Sequence, residues 1–415
     1  MKKFFLIVLV FSLLIKLFWF FFLRVDAWDD THEYEVLAYD LLQGRYRYFT
    51  PPLPQQLVGI GNYTRPPMYP FLIAITYAFT HDRLVSLHFP PLFLSSFVPP
   101  LIFAYSWRLT SKLEIALFTG FLSMMMPPSM FFGSQPLSDP IYLFFVTLTL
   151  YIIDTEAKTR KWLWSGLSSV FAFLTRPEGA ILLPLLLIIL VVKEKSRARI
   201  HALLLLLSSF LLPLAIYISF LHLTGLGLNV VFGLGGAITG GRFLKNFALL
   251  GVIVLGKYLV CNPILHVSLA LGFYTSLIRK LSAAGLFLAF SAMQVSSLSY
   301  SIYSRLFLEG LLFVGFAGER YFLASTLPLA FYTAIGFQAL KDKIAAWNVK
   351  AYKVLNTSTL SSIATLTALF NTFYIWRFLG ERAIIPTLII IGVLTFFWLV
   401  GLRSYIRTSQ PKQYS

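Results

Sequence analysis

The segment Trp28-Asp29-Asp30-Thr31-His32-Glu33-Tyr34-Glu35 holds four acids in eight residues, in a chain where 12% of residues are charged. Carboxylates are costly beside a bilayer and persist there chiefly where they have a function. This cluster follows the first apolar stretch, the place where an active site is held against a membrane surface. Four more charged groups recur at later turns: Arg65-Pro66-Pro67-Met68-Tyr69-Pro70, Leu137-Ser138-Asp139-Pro140, Arg176-Pro177-Glu178-Gly179 and Gly318-Glu319-Arg320-Tyr321. Acids and arginines are the residue types of proton transfer and anion contact. Each group is weak evidence alone; their fall on one side of the membrane, derived next, is what joins them.

At 415 residues, 58% hydrophobic and with a mean hydropathy of +0.76, the chain is too apolar for a soluble globule. Apolar windows long enough to cross a bilayer core of about 30 Å recur throughout. We read spans at Phe4–Leu23, Leu84–Trp107, Leu113–Phe131, Pro140–Ile153, Trp162–Thr175, Ala180–Val192, Ile200–Leu223, Asn262–Ile278, Leu281–Ser297, Tyr321–Leu340, Ser358–Trp376 and Ile384–Leu402. The fold class expected is therefore an all-α polytopic membrane protein of about twelve helices, eleven to thirteen. With the N-terminus inside, the larger share of the 34 Lys and Arg falls in cytoplasmic segments and most of the 17 acids fall outside. Both termini are expected in the cytoplasm and the charged groups above on the outer face. The net charge of +17 is a topology signal and needs no nucleic-acid partner.

The expected organisation is one integral membrane domain over residues 1–415. Residues 24–83 form the first extracytoplasmic loop, residues 224–261 an outer loop with a further or re-entrant helix, and residues 403–415 a cytoplasmic tail. No small-residue cleavage site follows the first span, so it reads as a retained anchor. In the first loop, Tyr34, Leu37, Ala38, Leu41 and Leu42 fall at helical spacing, which predicts an amphipathic helix over Asp30–Gln43 lying in the interface plane. Gly44 supplies its stop. A second interfacial helix is expected after Arg65-Pro66-Pro67. The Gly-rich Thr224–Arg242 stretch lacks the context of a phosphate-cradling motif and reads as a loop or lid.

Local roles compete for these residues. Asp30-x-x-Glu33 fits a capping box, Asp139 before Pro140 fits an N-cap, and Arg176 with Glu178 fits a structural ion pair. The lone cysteine, Cys261, excludes an internal disulfide. His81, His88, His201, His222 and His266 lack paired metal-ligand spacing.

The order of motifs resembles a known superfamily. A first span, then Asp30, Tyr34, Ala38, Leu41 and Gly44 in the pattern Asp-x-x-x-Tyr-x-x-x-Ala-x-x-Leu-x-x-Gly, then Arg-Pro-Pro-x-Tyr-Pro, is similar to the GT-C membrane glycosyltransferases. These include the protein O-mannosyltransferases and the lipid A aminoarabinose transferases. Ser138-Asp139-Pro140 resembles the second acidic motif, and Arg176-Pro177-Glu178-Gly179 a turn of prokaryotic members. The resemblance covers about residues 1–190. It implies a sugar donor on a polyprenyl or dolichyl phosphate and an acceptor protein, glycolipid or polysaccharide at the outer face of the plasma membrane. It implies Asp30 as the base, with Asp29 the alternative in a second register, inverting the anomeric carbon. Arg65, Arg176 and Arg320 would contact the lipid phosphate; Asp139 would orient the acceptor or hold a divalent metal. His32, Glu33, Tyr69, Glu178 and Tyr321 would contact substrate, and no nucleotide cofactor is expected.

Two other classes compete. A transporter or lipid flippase without covalent chemistry would carry ionisable groups at the midplane, where Lys16 is the clear mid-span charge and Lys257 a second candidate. A membrane scaffold without activity would tolerate loss of the outer acids.

Overall fold

The computed structural model describes residues 2–22, 29–43, 65–126, 129, 132–223, 268–272, 274, 283–288 and 323–347. The expected spans Ser358–Trp376 and Ile384–Leu402, the 224–261 loop and the 403–415 tail lie outside these residues, as do Arg320 and Tyr321. Among the described residues the chain is helical without strands.

The first helix, α1 (Lys2–Phe22), is followed by α2 (Asp29–Leu42), α3 (Met68–Thr80), α4 (Arg83–Ser96), α5 (Val98–Thr110) and α6 (Leu113–Met125). Next come α7 (Asp139–Thr155), α8 (Lys161–Thr175), a 3₁₀ turn at Pro177–Ile181, α9 (Leu182–Lys193) and α10 (Ser196–Leu223). A 3₁₀ turn at Leu323–Ser325 leads into α11 (Thr326–Trp347). Among the described residues four stretches are long and apolar enough to cross a membrane: 2–21, 83–110, 198–220 and 323–340.

Prolines account for two departures from the expected spans. Leu84–Trp107 is two helices that meet at Phe97, with Pro99 and Pro100 in the first turn of α5. Proline lacks the N–H that would continue the ladder and its ring crowds the preceding turn. The expected start of a span at Ala180 is a 3₁₀ turn opened by Pro177. The expected span to Phe131 ends as a helix at Met125.

The helix predicted at Asp30–Gln43 is found at Asp29–Leu42. Tyr34, Leu37 and Ala38 are buried, as their spacing requires, but their cover is protein. Tyr34 and Ala38 pack with Tyr69, Ile73, Ala74, Leu87 and Ile141, while Leu37 packs with Val170, Leu174, Phe210 and Tyr217. Residues of α3, α4, α7, α8 and α10 thus cover the apolar face of α2, while Tyr39 and Leu42 stay exposed. Burying each of the larger side chains contributes about 1.5–3 kcal/mol, enough to fix where the acidic end of α2 points. Glu35 is buried as well, where Arg83 of α4 meets it.

The main core gathers Trp19, Tyr105, Trp162 and Phe331 with the leucines and isoleucines of α7 and α9. α7 packs along α8, and α8 along α10. α7 and α8 rise about 26 and 23 Å, short of a hydrocarbon core of about 30 Å. The segment 133–138 that precedes α7 is buried without being helical. Irregular backbone at such depth must find its hydrogen bonds within the protein, and it does. Ser95 donates to Gly133 O at 2.7 Å, His88 Nδ1 lies 3.0 Å from Ser134 O, and Thr31 donates to Pro136 O at 2.8 Å.

Candidate functional site

Asp29 and Asp30 open α2, so Asp30 lies in the first helical turn rather than at the expected cap ahead of it. One residue on, the buried Thr31 hydroxyl donates to Pro136 O at 2.8 Å. One turn on, the Tyr34 hydroxyl pairs with Ser138 Oγ at 2.9 Å. Thr31 and Tyr34 are three apart and share a helix face. These two bonds join the acidic end of α2 to the loop that delivers Asp139, across more than a hundred residues of chain.

Asp139 is the first residue of α7 and not its cap; Ser138 holds that position, and its hydroxyl engages Tyr34. The Asp139 carboxylate is 2% exposed and accepts from Arg176 Nη1 at 2.7 Å. Arg176 reaches it because Pro177 disfavours helical backbone in the residue before it. Arg176 is extended (φ −150°, ψ 137°), ending α8 with its guanidinium turned back toward α7. Glu178 takes the rest of that fork, at 3.0 Å from Nη2 and 3.3 Å from Nε. Gly179 lets the turn fold back on α8: a Cβ there would stand 2.4 Å from Phe173 N and 2.5 Å from the Ala172 carbonyl carbon. Burial works against the Arg176 charge, but Asp139 and then Glu178 outweigh it and hold its pKa well above the ordinary value. The guanidinium is therefore a permanent cation clamped between two carboxylates.

Arg65 and Glu33 form a second pair, at 2.5 Å, with the Arg65 guanidinium 5.6 Å from the centre of the Tyr34 ring. Both side chains are substantially solvated, which limits such a pair to about 0–1 kcal/mol of stability. The contrast with Arg176 is one of availability: water reaches Arg65 and hardly reaches Arg176. A third pair went unnoticed in the sequence. Arg83 at the start of α4 binds Glu35 through both fork nitrogens, Nη2 to Oε2 at 2.8 Å. No local spacing marks it, since the partners are forty-eight residues apart.

Tyr69 is fully buried, packs its ring at a tilt of 59° against Tyr34 with ring centres 4.9 Å apart, and donates its hydroxyl to Leu87 O at 2.7 Å. Burial first, and then Tyr34 and Glu35, raise its pKa well above the usual value, so it remains a donor. It holds the second motif in place from within the core. His32 is exposed on α2. Among the described residues no three His, Cys, Asp or Glu side chains gather closely enough to hold a metal ion.

Residues 64–222 match the family described as dolichyl-phosphate-mannose-protein mannosyltransferase. No curated protein matches the chain. Among solved structures, the archaeal oligosaccharyltransferase AglB from Archaeoglobus fulgidus, in complex with an inhibitory peptide and a dolichol-phosphate, aligns with a TM-score of 0.51 at 16% identity. That alignment covers 94% of this chain and 56% of AglB, so this chain spans little more than half of its length. ArnT from Cupriavidus metallidurans in the apo state aligns with a TM-score of 0.52 at 13% identity, over 96% of this chain and 75% of ArnT. The family match and these two likenesses bear out the resemblance read from the sequence: the chain has the fold of the GT-C membrane glycosyltransferases.

Proposed function

We propose that this chain is an inverting glycosyltransferase that moves a sugar from a polyprenyl or dolichyl phosphate to an acceptor hydroxyl or amine at the outer face of the membrane. The observation that carries this reading is the pair of hydrogen bonds from Thr31 and Tyr34 that fixes the Asp29–Asp30 end of α2 to the loop ending in Asp139. Two acidic motifs thus share one rigid mount, with the Arg176 cation set between Asp139 and Glu178.

In this reading Asp30 accepts the acceptor's proton as the nucleophilic oxygen or nitrogen attacks the anomeric carbon. The sugar–phosphate bond breaks on the opposite face and leaves a lipid phosphate. Such proton acceptance contributes roughly 10²–10⁴-fold. Arg65, the solvated cation beside the acidic end of α2, suits contact with the leaving phosphate and trades Glu33 for it at little cost in stability. Arg176, already clamped, acts by holding Asp139 in place rather than by meeting the phosphate itself.

The test uses purified full-length protein, a polyprenyl-phosphate-linked sugar and mass spectrometry of the products. Asp30→Asn is expected to reduce transfer by at least about a hundredfold while leaving the melting temperature unchanged. Wild-type turnover in that variant would remove Asp30 as the base. Substrate flux into liposomes with no covalent product would replace the reading with a transporter.

A further inference from the structure

We propose that Lys16, with Trp19 and the serines beside Gly133, forms a binding site for a phosphate-type oxyanion within the outer part of α1. Of the two buried cations among the described residues, Arg176 carries two carboxylates, whereas the Lys16 ammonium has no hydrogen-bond partner. Lys16 is 3% exposed and sits one and a half turns, about 9 Å, from the Phe22 end of α1.

The ammonium is not alone. Ser12, Lys16 and Trp19 fall at i, i+4 and i+7 and therefore on one face of α1. The Ser12 hydroxyl, the Lys16 ammonium and the Trp19 indole N–H are all buried and all lack a partner. Facing Lys16 is Gly133: a Cβ there would lie 2.8 Å from Lys16 Nζ, so glycine at this position is what admits the lysine. Ser129 and Ser134 flank that contact, and their buried hydroxyls are also without partners. Native proteins satisfy nearly all such groups, and an uncompensated buried ammonium is the costliest of them. Five together on two facing segments make a site.

The donor inventory selects the ligand. Lysine ammonium and indole N–H can only donate, and serine hydroxyls can donate as well. A set rich in donors and cationic at its centre calls for an acceptor-rich anion, for which a phosphate oxyanion is the apt chemistry. Its backbone neighbourhood belongs to the site already described. Gly133 and Ser134 lie in the buried loop that continues to Asp139, and Ser95 and His88 hold that loop from α4. If the proposed reaction holds, the source is the phosphate of a polyprenyl lipid, and this part of the inference rests on that reading; free phosphate is the other source of the same chemistry.

Binding of farnesyl phosphate, farnesol and inorganic phosphate to the purified full-length protein in a neutral detergent, followed by calorimetry, separates these cases. Farnesyl phosphate is expected to bind the wild type, with farnesol at least about tenfold weaker. Lys16→Met is expected to weaken farnesyl phosphate by about tenfold or more, and Trp19→Phe by about threefold to tenfold. Lys16→Met is also expected to raise the melting temperature of the ligand-free protein, because it removes a buried charge that nothing compensates. Trp19→Phe, which deletes one donor and keeps the ring, carries the test if the lysine variant folds poorly. Inorganic phosphate binding as tightly as farnesyl phosphate, with the same loss in both variants, supports the oxyanion site and assigns it to free phosphate. Farnesyl phosphate binding that neither substitution alters overturns the site while leaving the lipid-phosphate donor standing. Binding that depends on Lys16 in a protein that transfers no sugar overturns the proposed reaction and leaves the site.

Discussion

The two ends of α7 carry similar chemistry put to different use. At one end Asp139 binds Arg176, and about 22 Å away along the helix Asp154 binds Lys193 at 3.1 Å. Both carboxylates are nearly inaccessible to water. Asp154 also accepts the Tyr105 hydroxyl at 2.8 Å and the Ala283 backbone N–H at 3.1 Å, so its donors come from α5, α9 and the 283–288 helical segment. It fastens distant elements together, and its cation is one-third exposed. Asp139 instead meets a cation locked into a second carboxylate, next to a loop pinned by α2. Buried acids alone do not mark a site. What separates the two ends is the company: neutral donors tying helices together at one, two carboxylates on a single buried guanidinium beside a loop pinned by α2 at the other.

That distinction can be tested by removing one partner at a time. Arg176→Leu has the largest expected effect, since it removes the guanidinium that binds both Asp139 and Glu178, and water reaches neither well. A loss of about 3–5 kcal/mol is expected, read as a lower thermal midpoint in detergent. A midpoint equal to wild type would mean that this pair is dispensable to the fold. Asp154→Asn should cost less, about 1–3 kcal/mol, because Lys193 can turn to solvent; turnover per folded molecule should stay at the wild-type level. A fall in turnover without a fall in stability would erase the contrast between the two ends. The smallest stability effect is expected for Arg65→Gln, within about 1 kcal/mol, together with a rise in KM for the lipid-linked donor. An unchanged KM would remove Arg65 from phosphate contact.

The legible part of this molecule is the part governed by local rules. Of the five residues whose spacing marks the apolar face of α2, Tyr34, Leu37 and Ala38 are buried, Leu41 is half-buried and Leu42 is exposed, and the helix lies within one residue of its expected bounds. Arg176-Pro177-Glu178-Gly179 was recognisable as a turn because proline and glycine act on their own backbone. Pairings across long stretches of chain were not legible. Arg176 with Glu178 was expected from adjacency, whereas Arg176 with Asp139 and Arg83 with Glu35 arise only when helices far apart in sequence are laid side by side. The helix break at Phe97 was not legible because apolar length marks a span without marking interruptions in its helix, and 83–110 remains one stretch long enough to cross a membrane.

Sequence by itself determined that the chain is helical and membrane-bound, that acids and arginines recur at the same kind of turn, and which side of α2 is apolar, because composition and periodicity act within a few residues. Only the tertiary structure decided which helices cover the apolar face of α2, that Tyr69 is core, that Arg176 binds Asp139, and that Lys16 faces Gly133 with no hydrogen-bond partner among the described residues. These depend on which helices pack together, and on which polar groups that packing leaves without a partner.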